Sequence, residues 1–171
     1  GIVFHNDLGS VRQRADRLGA LAARIAEDTG ASQNEIALAK QAGRLAKADL
    51  SSGLVSELPS LQGIIGGEYA KREGVPDSVC WAIATQYDLS KNPDPESEAS
   101  RTALRLLMAD QIDKLAGYLG KNMAPTGSSD PFGLRRAATL LIEAAWSWPT
   151  SLPSFEGWLT EAAHLYSGQG T

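Results

Sequence analysis

The feature that most constrains the fold is a helix-start signal that occurs twice near the N-terminus. Ser10 is followed three residues later by Gln13, and Ser32 by Glu35, the spacing of a capping box that satisfies the free amides of a first helical turn. Apolar side chains then recur every three or four residues after each box. Gly30 stands where a left-handed residue would end the first helix. This part of the chain therefore predicts two consecutive amphipathic helices.

Composition extends the helical prediction to the rest of the chain. The 171 residues include 25 Ala and 21 Leu against only 8 Ile and 5 Val, a balance that favours helix over strand. Further helices are predicted from about Ser100 to Gly120, from Pro131 to Trp148 and from Ser154 to Tyr166. No segment shows the alternation typical of a strand. We predict an all-α fold, a compact bundle of about 6–8 helices forming one domain over residues 1–171.

Several classes of protein do not fit this sequence. No apolar run is long enough to span a membrane, and no secretory signal pattern opens the chain. The single Cys80 cannot form an internal disulfide, which favours a reduced, cytoplasmic location. The net charge of −4 argues against a chain that is basic throughout and binds nucleic acid over its whole surface.

Three carboxylates raise the question of a metal site. Asp49 continues the apolar face of the second predicted helix. Asp110 and Asp113 lie one turn apart on the same side of a later predicted helix. A buried carboxylate needs a partner, and Lys47, Lys114, Arg135 or a backbone amide are the candidates. Neither His5 nor His164 is followed three or four residues later by a carboxylate or an imidazole, so no bound metal is predicted. No nucleophile elbow or phosphate-binding P-loop occurs either, so no catalytic residue is assigned.

Positive charge is concentrated in residues 101–136, which carry six Lys or Arg against three acids. Within this positive segment, a Gly/Ser loop precedes a helix that Asp130 is predicted to cap, with Pro131 at its first position, and Arg135 and Arg136 follow. Free amides, a helix N-terminus and two Arg together have the composition of a phosphate-binding site. Alternatively, the two Arg neutralise Asp110, Asp113 or Glu143 within the fold. Spacing alone leaves both readings open.

Three stretches, in this order and separation, resemble the β subunit of bacterial two-subunit glycyl-tRNA synthetase. They are LAKADL at 45–50 with ELPSLQGIIGGEYA at 57–70, then ADQIDKL at 109–115, then PTGSSDPFGLRRAA at 125–138. The likeness runs from about Val3 to Tyr166, nearly the whole chain.

The resemblance implies an HD-like helical domain whose chemistry is lost. In HD-type phosphohydrolases an adjacent His-Asp pair and a distant Asp hold a metal. Here Asp49 matches the Asp of that pair and Asp110 the distant Asp, but Ala48 stands where the His would be. Because a methyl group cannot ligate a metal, these three positions are expected to be degenerate and the segment non-catalytic.

The resemblance also implies a function and partners. The chain would be an internal segment of a longer β subunit, without the catalytic and anticodon-binding parts. It would support recognition of tRNA-Gly for ATP-dependent glycylation, with the α subunit as its partner in a heterotetramer. ATP and Mg²⁺ would serve the complete enzyme, and this segment would hold no cofactor.

The expected tRNA-binding residues lie in the positive segment: Lys114, Lys121, Arg135 and Arg136. Two other functions remain open: an HD-type metal-dependent phosphohydrolase with an atypical site, and a helical domain that binds only protein.

Overall fold

The computed structural model describes residues 3–5 and 8–170 and confirms the all-α prediction. A short antiparallel hairpin of β1 (Val3–His5) and β2 (Gly9–Ser10) precedes the helices. Eight α-helices lie within the described part of the chain: α1 (Val11–Asp28), α2 (Gln33–Leu45), α3 (Gly53–Glu57), α4 (Ile64–Arg72), α5 (Asp77–Thr85), α6 (Glu98–Gly120), α7 (Leu134–Ser147) and α8 (Phe155–Gly168). None of these helices is long and apolar enough to cross a lipid bilayer.

Helices α1 and α2 form a close antiparallel pair, and the predicted capping box is confirmed in full only for α1. At α2 the Ser32 hydroxyl accepts a hydrogen bond from the Glu35 amide, but the Glu35 carboxylate pairs with Arg101 instead of closing the box. The Ser10 hydroxyl accepts a hydrogen bond from the Gln13 amide, and the Gln13 side chain accepts one from the Ser10 amide. Gly30 adopts a left-handed φ of 77° between the helices. At the crossing, a Cβ added to Gly43 would collide with the backbone of Leu18, so the two helices approach more closely than a larger residue allows.

Helix α6 is the centre of the bundle. It contacts α1, α2, α5, α7 and α8, and side chains around its whole circumference are buried from Thr102 to Asp113. A helix surrounded by others has no solvent face, so polar residues in its middle must find partners inside the protein. Asp110 and Asp113 are two such residues.

The predicted start of α7 was wrong by three residues. Pro131 does not open the helix; Gly133 takes a left-handed φ of 65° and α7 begins at Leu134. The Asp130 carboxylate still caps the helix, because it accepts hydrogen bonds from the amides of Leu134 at 2.8 Å and Arg135 at 2.9 Å. The turn between cap and helix lets the carboxylate reach across it.

The sequence between Leu61 and Tyr69 is rich in glycine, and Gly63 sets the boundary of the helix within it. That residue has a φ of 84° and precedes α4, so it lies outside the helix. Gly66 and Gly67 lie inside α4, where neighbouring groups approach the helix closely. A Cβ on Gly67 would lie 2.9 Å from the Cys80 carbonyl of α5, and one on Gly66 would lie 3.1 Å from the Asp49 carboxylate.

Candidate functional site

Asp110 lies in the middle of α6 with only 3% of its surface exposed, between two cations. Arg14 Nη2 of α1 donates to its Oδ1 at 2.7 Å, and Lys47 Nζ donates to its Oδ2 at 2.9 Å. Burial alone would raise the pKa of Asp110, but the charges and hydrogen bonds of Lys47 and Arg14 outweigh it and hold the pKa well below its usual range. Asp110 is therefore an ionised carboxylate inside the protein.

Lys47 is almost completely buried and uses all three of its ammonium hydrogens. They go to Gln86 Oε1 at 2.6 Å, Tyr87 Oη at 2.6 Å and Asp110. Burial lowers the pKa of Lys47 to about 8, because desolvation and the nearby Arg14 charge together exceed the attraction of Asp110. The predicted role of Lys47 as a carboxylate partner is confirmed.

Asp49 is buried beside this cluster but faces a different set of donors. Its Oδ2 accepts hydrogen bonds from the amides of Gly63 at 2.6 Å and Gly66 at 3.2 Å, the predicted backbone partners. It lines a small cavity of about 190 Å³ together with the exposed Ala48, whereas Asp110 lines another cavity. Lys47 is a neighbouring positive charge for both Asp49 and Asp110. Among the described residues, no hydrogen-bond donor contacts both carboxylates.

The degenerate HD-like assignment of Ala48, Asp49 and Asp110 stays a prediction. Among the side chains that the structure describes, which belong to residues 8–170, no group of three or more His, Cys, Asp or Glu is placed to hold a metal ion. His164 is exposed on α8, and the side chain of His5 lies outside the described part of the structure.

A second buried ion pair lies one turn along α6. Arg17 Nε of α1 donates to Asp113 Oδ1 at 2.7 Å, and both side chains are fully buried. The Tyr166 hydroxyl of α8 is 3.2 Å from Asp113 Oδ2, and the Arg17 guanidinium stacks 3.8 Å from the Tyr166 ring centre. The pair therefore joins α1, α6 and α8 through polar contacts in the core.

Sequence reasoning missed Arg14 and Arg17, the cations that neutralise the two buried carboxylates of α6. The signal was present: each Arg precedes a buried leucine of α1, Leu18 or Leu21, by four residues and so lies on the core face of that helix. Of the other proposed partners, Lys114 and Arg135 form no ion pair with Asp49 or Asp110 in the described part of the chain.

Asp110 and Lys47 lie at the inner end of a cleft of about 350 Å³ between α1, α6 and α7. Its mouth is formed by the exposed Arg136 of α7 and the half-buried Lys114 of α6. Partial burial lowers the pKa of Lys114, and the charges of Arg14 and Arg136 act in the same direction. The lining residues are Arg14, Lys47, Gln62, Tyr87, Asp110, Gln111, Lys114, Gly133, Arg136, Ala137 and Leu140.

The four sequence-predicted tRNA-binding residues divide into two groups. Lys114 and Arg136 line the cleft, and neither makes a hydrogen bond or ion pair to any described residue. Arg135 and Lys121 lie outside it: Arg135 donates to the carbonyl of Gly127, and Lys121 is exposed just after α6. Within the described residues, neither arginine pairs with Asp110, Asp113 or Glu143, so the neutralising role considered above is wrong for them.

Comparison with known proteins bears directly on the sequence resemblance. The family model described as glycyl-tRNA synthetase beta subunit matches residues 1–170. A glycine–tRNA ligase beta subunit from Phenylobacterium zucineum is 42% identical over 153 residues, covering 90% of this chain and 23% of the relative. One from Desulforudis audaxviator is 38% identical over 170 residues, covering 99% of this chain and 24% of the relative.

A third relative, the glycine–tRNA ligase beta subunit of Solidesulfovibrio magneticus, is 47% identical over 138 residues, covering 80% of this chain and 19% of the relative. The chain thus spans about a quarter or less of the length of these relatives. The family match over nearly the whole sequence confirms the resemblance, and the chain belongs to the glycyl-tRNA synthetase beta subunit family.

Proposed function

We propose that this segment helps a two-subunit glycyl-tRNA synthetase to hold tRNA-Gly during ATP-dependent glycylation and is itself non-catalytic. The observation that carries the proposal is that Lys114 and Arg136 lie unpaired at the mouth of the cleft within the described structure. Both cations line the cleft and form no ion pair or hydrogen bond with a described residue, while Asp110 and Asp113 are neutralised by Arg14, Arg17 and Lys47. The positive charge at the mouth is therefore available to an external anion.

The phosphate backbone of an RNA is the anion that such a surface would contact. Lys121 and Arg135 extend the positive surface beyond the cleft mouth, and both are exposed. Phosphate contacts from Lys and Arg are largely independent of sequence and weaken with salt. Because the chain has a net charge of −4, the isolated segment should bind RNA weakly and contribute mainly within the complete enzyme.

The remaining parts of the reaction belong to the rest of the enzyme in this proposal. The α subunit would supply the site for glycine, ATP and Mg²⁺, and the complete cytoplasmic enzyme would be a heterotetramer. The beta subunit names of the relatives support the existence of an α partner. Lys114, Lys121, Arg135 and Arg136 would act only on tRNA, and this segment would hold no cofactor.

The test is steady-state aminoacylation by the complete two-subunit enzyme carrying Lys114→Ala and Arg136→Ala together. The KM for tRNA-Gly should rise by roughly 10-fold, the effect of losing two phosphate contacts, with little change in glycine-dependent adenylate formation. Lys40→Ala with Arg72→Ala is the matched control, because it removes two exposed cations from α2 and α4, away from the cleft.

Two results would contradict the proposal. Unchanged tRNA kinetics with weaker association of the two subunits would identify the positive surface as a protein interface. Metal-dependent release of phosphate from a nucleotide by this segment would support the phosphohydrolase alternative.

A further inference from the structure

We propose that the cleft between α1, α6 and α7 is a specific site for a phosphate monoester dianion, either a free phosphate compound or the terminal phosphate of an RNA. This proposal goes beyond contact with an RNA backbone, because it places the bound phosphate in the interior of the cleft and not only at its mouth. The RNA source alone rests on the proposed function.

Charge is the first argument. Four cations line the cleft, Arg14, Lys47, Lys114 and Arg136, against the single carboxylate of Asp110. Asp113 is fully buried and is balanced by Arg17, and it also lies 3.8 Å from Arg14. Asp49 and Asp130 attract Lys47 and Lys114 but do not line the cleft, so the lining itself keeps an excess of positive charge. A cavity with this excess of positive charge and low-dielectric walls concentrates anions, and a dianion offsets more of that excess than a singly charged group does.

Hydrogen-bond donors are the second argument. Lys114 and Arg136 contribute cationic donors that contact no acceptor in the described structure. The Tyr87 hydroxyl accepts hydrogen bonds from Lys47 and from Gln62 Nε2 at 2.7 Å, so its own proton remains to be donated, and Tyr87 lines the cleft. Three donors from three parts of the chain suit a tetrahedral anion that only accepts hydrogen bonds.

The shape of the cleft favours a monoester over a backbone phosphodiester. Arg14 and Lys47 at the inner end are 5% and 1% exposed, whereas Arg136 at the mouth is exposed. A phosphodiester within a duplex is flanked by sugars on both sides and stays at the mouth. A terminal or free phosphate can enter, where the buried Lys47 and Arg14 add to the attraction through their field, although the hydrogens of Lys47 are already used.

The test is calorimetric titration of the 171-residue chain with inorganic phosphate at pH 7.5, against acetate at the same ionic strength. Phosphate should bind and acetate should bind at least about 10-fold more weakly, because it carries half the charge and fewer acceptor oxygens. Arg136→Gln and Lys114→Gln should each weaken phosphate binding about 10-fold, and Tyr87→Phe about 3-fold, the range of charged and neutral hydrogen bonds.

Arg135→Gln and Lys121→Gln are the controls, since they remove neighbouring cations that do not line the cleft. They should leave phosphate binding within about 2-fold. Thermal unfolding without ligand identifies any variant that fails to fold. Absence of phosphate binding, or equal losses for Arg135→Gln and Arg136→Gln, would overturn the proposal.

Two RNA probes distinguish the sources of the phosphate. The same short oligoribonucleotide is titrated with a 5′-phosphate and with a 5′-hydroxyl, and inorganic phosphate is added as competitor. A preference for the 5′-phosphate form that Arg136→Gln removes supports an RNA terminus, whereas equal binding of the two forms with inorganic phosphate still bound supports a free phosphate compound. A changed KM for tRNA without phosphate binding would overturn only this inference, and phosphate binding without a tRNA effect would overturn only the proposed function.

Discussion

Lys47 and Asp110 are 63 residues apart in the sequence, yet the Lys47 ammonium lies 2.9 Å from the Asp110 carboxylate in the interior of the protein. Arg14 completes a buried triad with one negative and two positive charges. Two ions removed from water stabilise a fold only when their mutual attraction and hydrogen bonds offset the loss of hydration. The triad therefore makes the walls of the cleft sensitive to the loss of any single member.

Replacing Asp110 with Asn should destabilise the chain strongly. The change removes the carboxylate that Arg14 and Lys47 share and leaves Arg14 only the more distant Asp113 at 3.8 Å. Breaking a buried ion pair in this way costs about 3–5 kcal/mol in comparable cases. Urea unfolding at pH 7 measures the loss. Asp16→Asn is the control, because Asp16 is half exposed and forms a surface ion pair with Arg44 at 3.7 Å. Such a pair contributes less than about 1 kcal/mol to the free energy of unfolding. Equal stability of the two variants would show that Asp110 is not held as an ion.

The stability should depend on pH through Lys47. Its pKa is lowered to about 8 in the folded protein, while an unfolded lysine titrates near about 10.4. Between these values the unfolded chain binds more protons, so the Lys47 contribution to stability rises with pH from about 8 to about 10. Below pH 8 both states are protonated and the cost of burying the charge is constant.

Urea unfolding of the original chain and of Lys47→Met, from pH 7 to 9.5, checks this effect. The original chain should gain on the order of 2 kcal/mol relative to Lys47→Met across that range. Both proteins keep Asp110, Arg14, Tyr87, Gln86 and Asp49 around the position, so the difference isolates the lysine. A difference that does not change with pH, as expected for the exposed Lys40→Met control, would contradict the lowered pKa.

Gly43→Ala should separate α1 from α2 and destabilise the bundle. Alanine favours a helix over glycine by about 1 kcal/mol, but the added Cβ collides with the backbone of Leu18, and overpacking costs typically about 1–3 kcal/mol. Gly157→Ala is the matched control in α8, since the nearest atom to its Cβ is 4.0 Å away. Thermal unfolding should show a lower Tm for Gly43→Ala and an unchanged or higher Tm for Gly157→Ala. The opposite order would mean that the helices can move apart freely.

Much of the fold could be predicted because its signals are local. The Ser10 capping box and the Gly30 helix end depend on neighbours within a few residues, and both are confirmed. The start of α7 was less accurate, since the Asp130 carboxylate caps from beyond a turn that Gly133 creates. A side chain that reaches across a turn gives the same sequence signal as one at the cap itself.

The polar interior could be predicted only in part. The burial of Asp49 followed from its position on the apolar face of a predicted helix, and both Asp49 and Asp110 are buried. The partners of Asp110 and Asp113 depend on which helices pack together, and Arg14 and Arg17 come from 96 residues away. Such pairing is decided by tertiary structure, so the sequence indicated Lys47 as a carboxylate partner but did not indicate the two arginines.

The most direct test of the tRNA role is the salt dependence of tRNA-Gly binding by the complete two-subunit enzyme. Affinity is measured from low to moderate salt for the original enzyme, for Lys114→Gln with Arg136→Gln, and for the control Lys40→Gln with Arg72→Gln. Each phosphate contact that is lost should reduce the slope of log affinity against log salt by about 0.7–0.9, so the cleft variant should lose roughly 1.5 and the control nothing. A cleft variant whose slope and affinity equal those of the original enzyme would contradict the account.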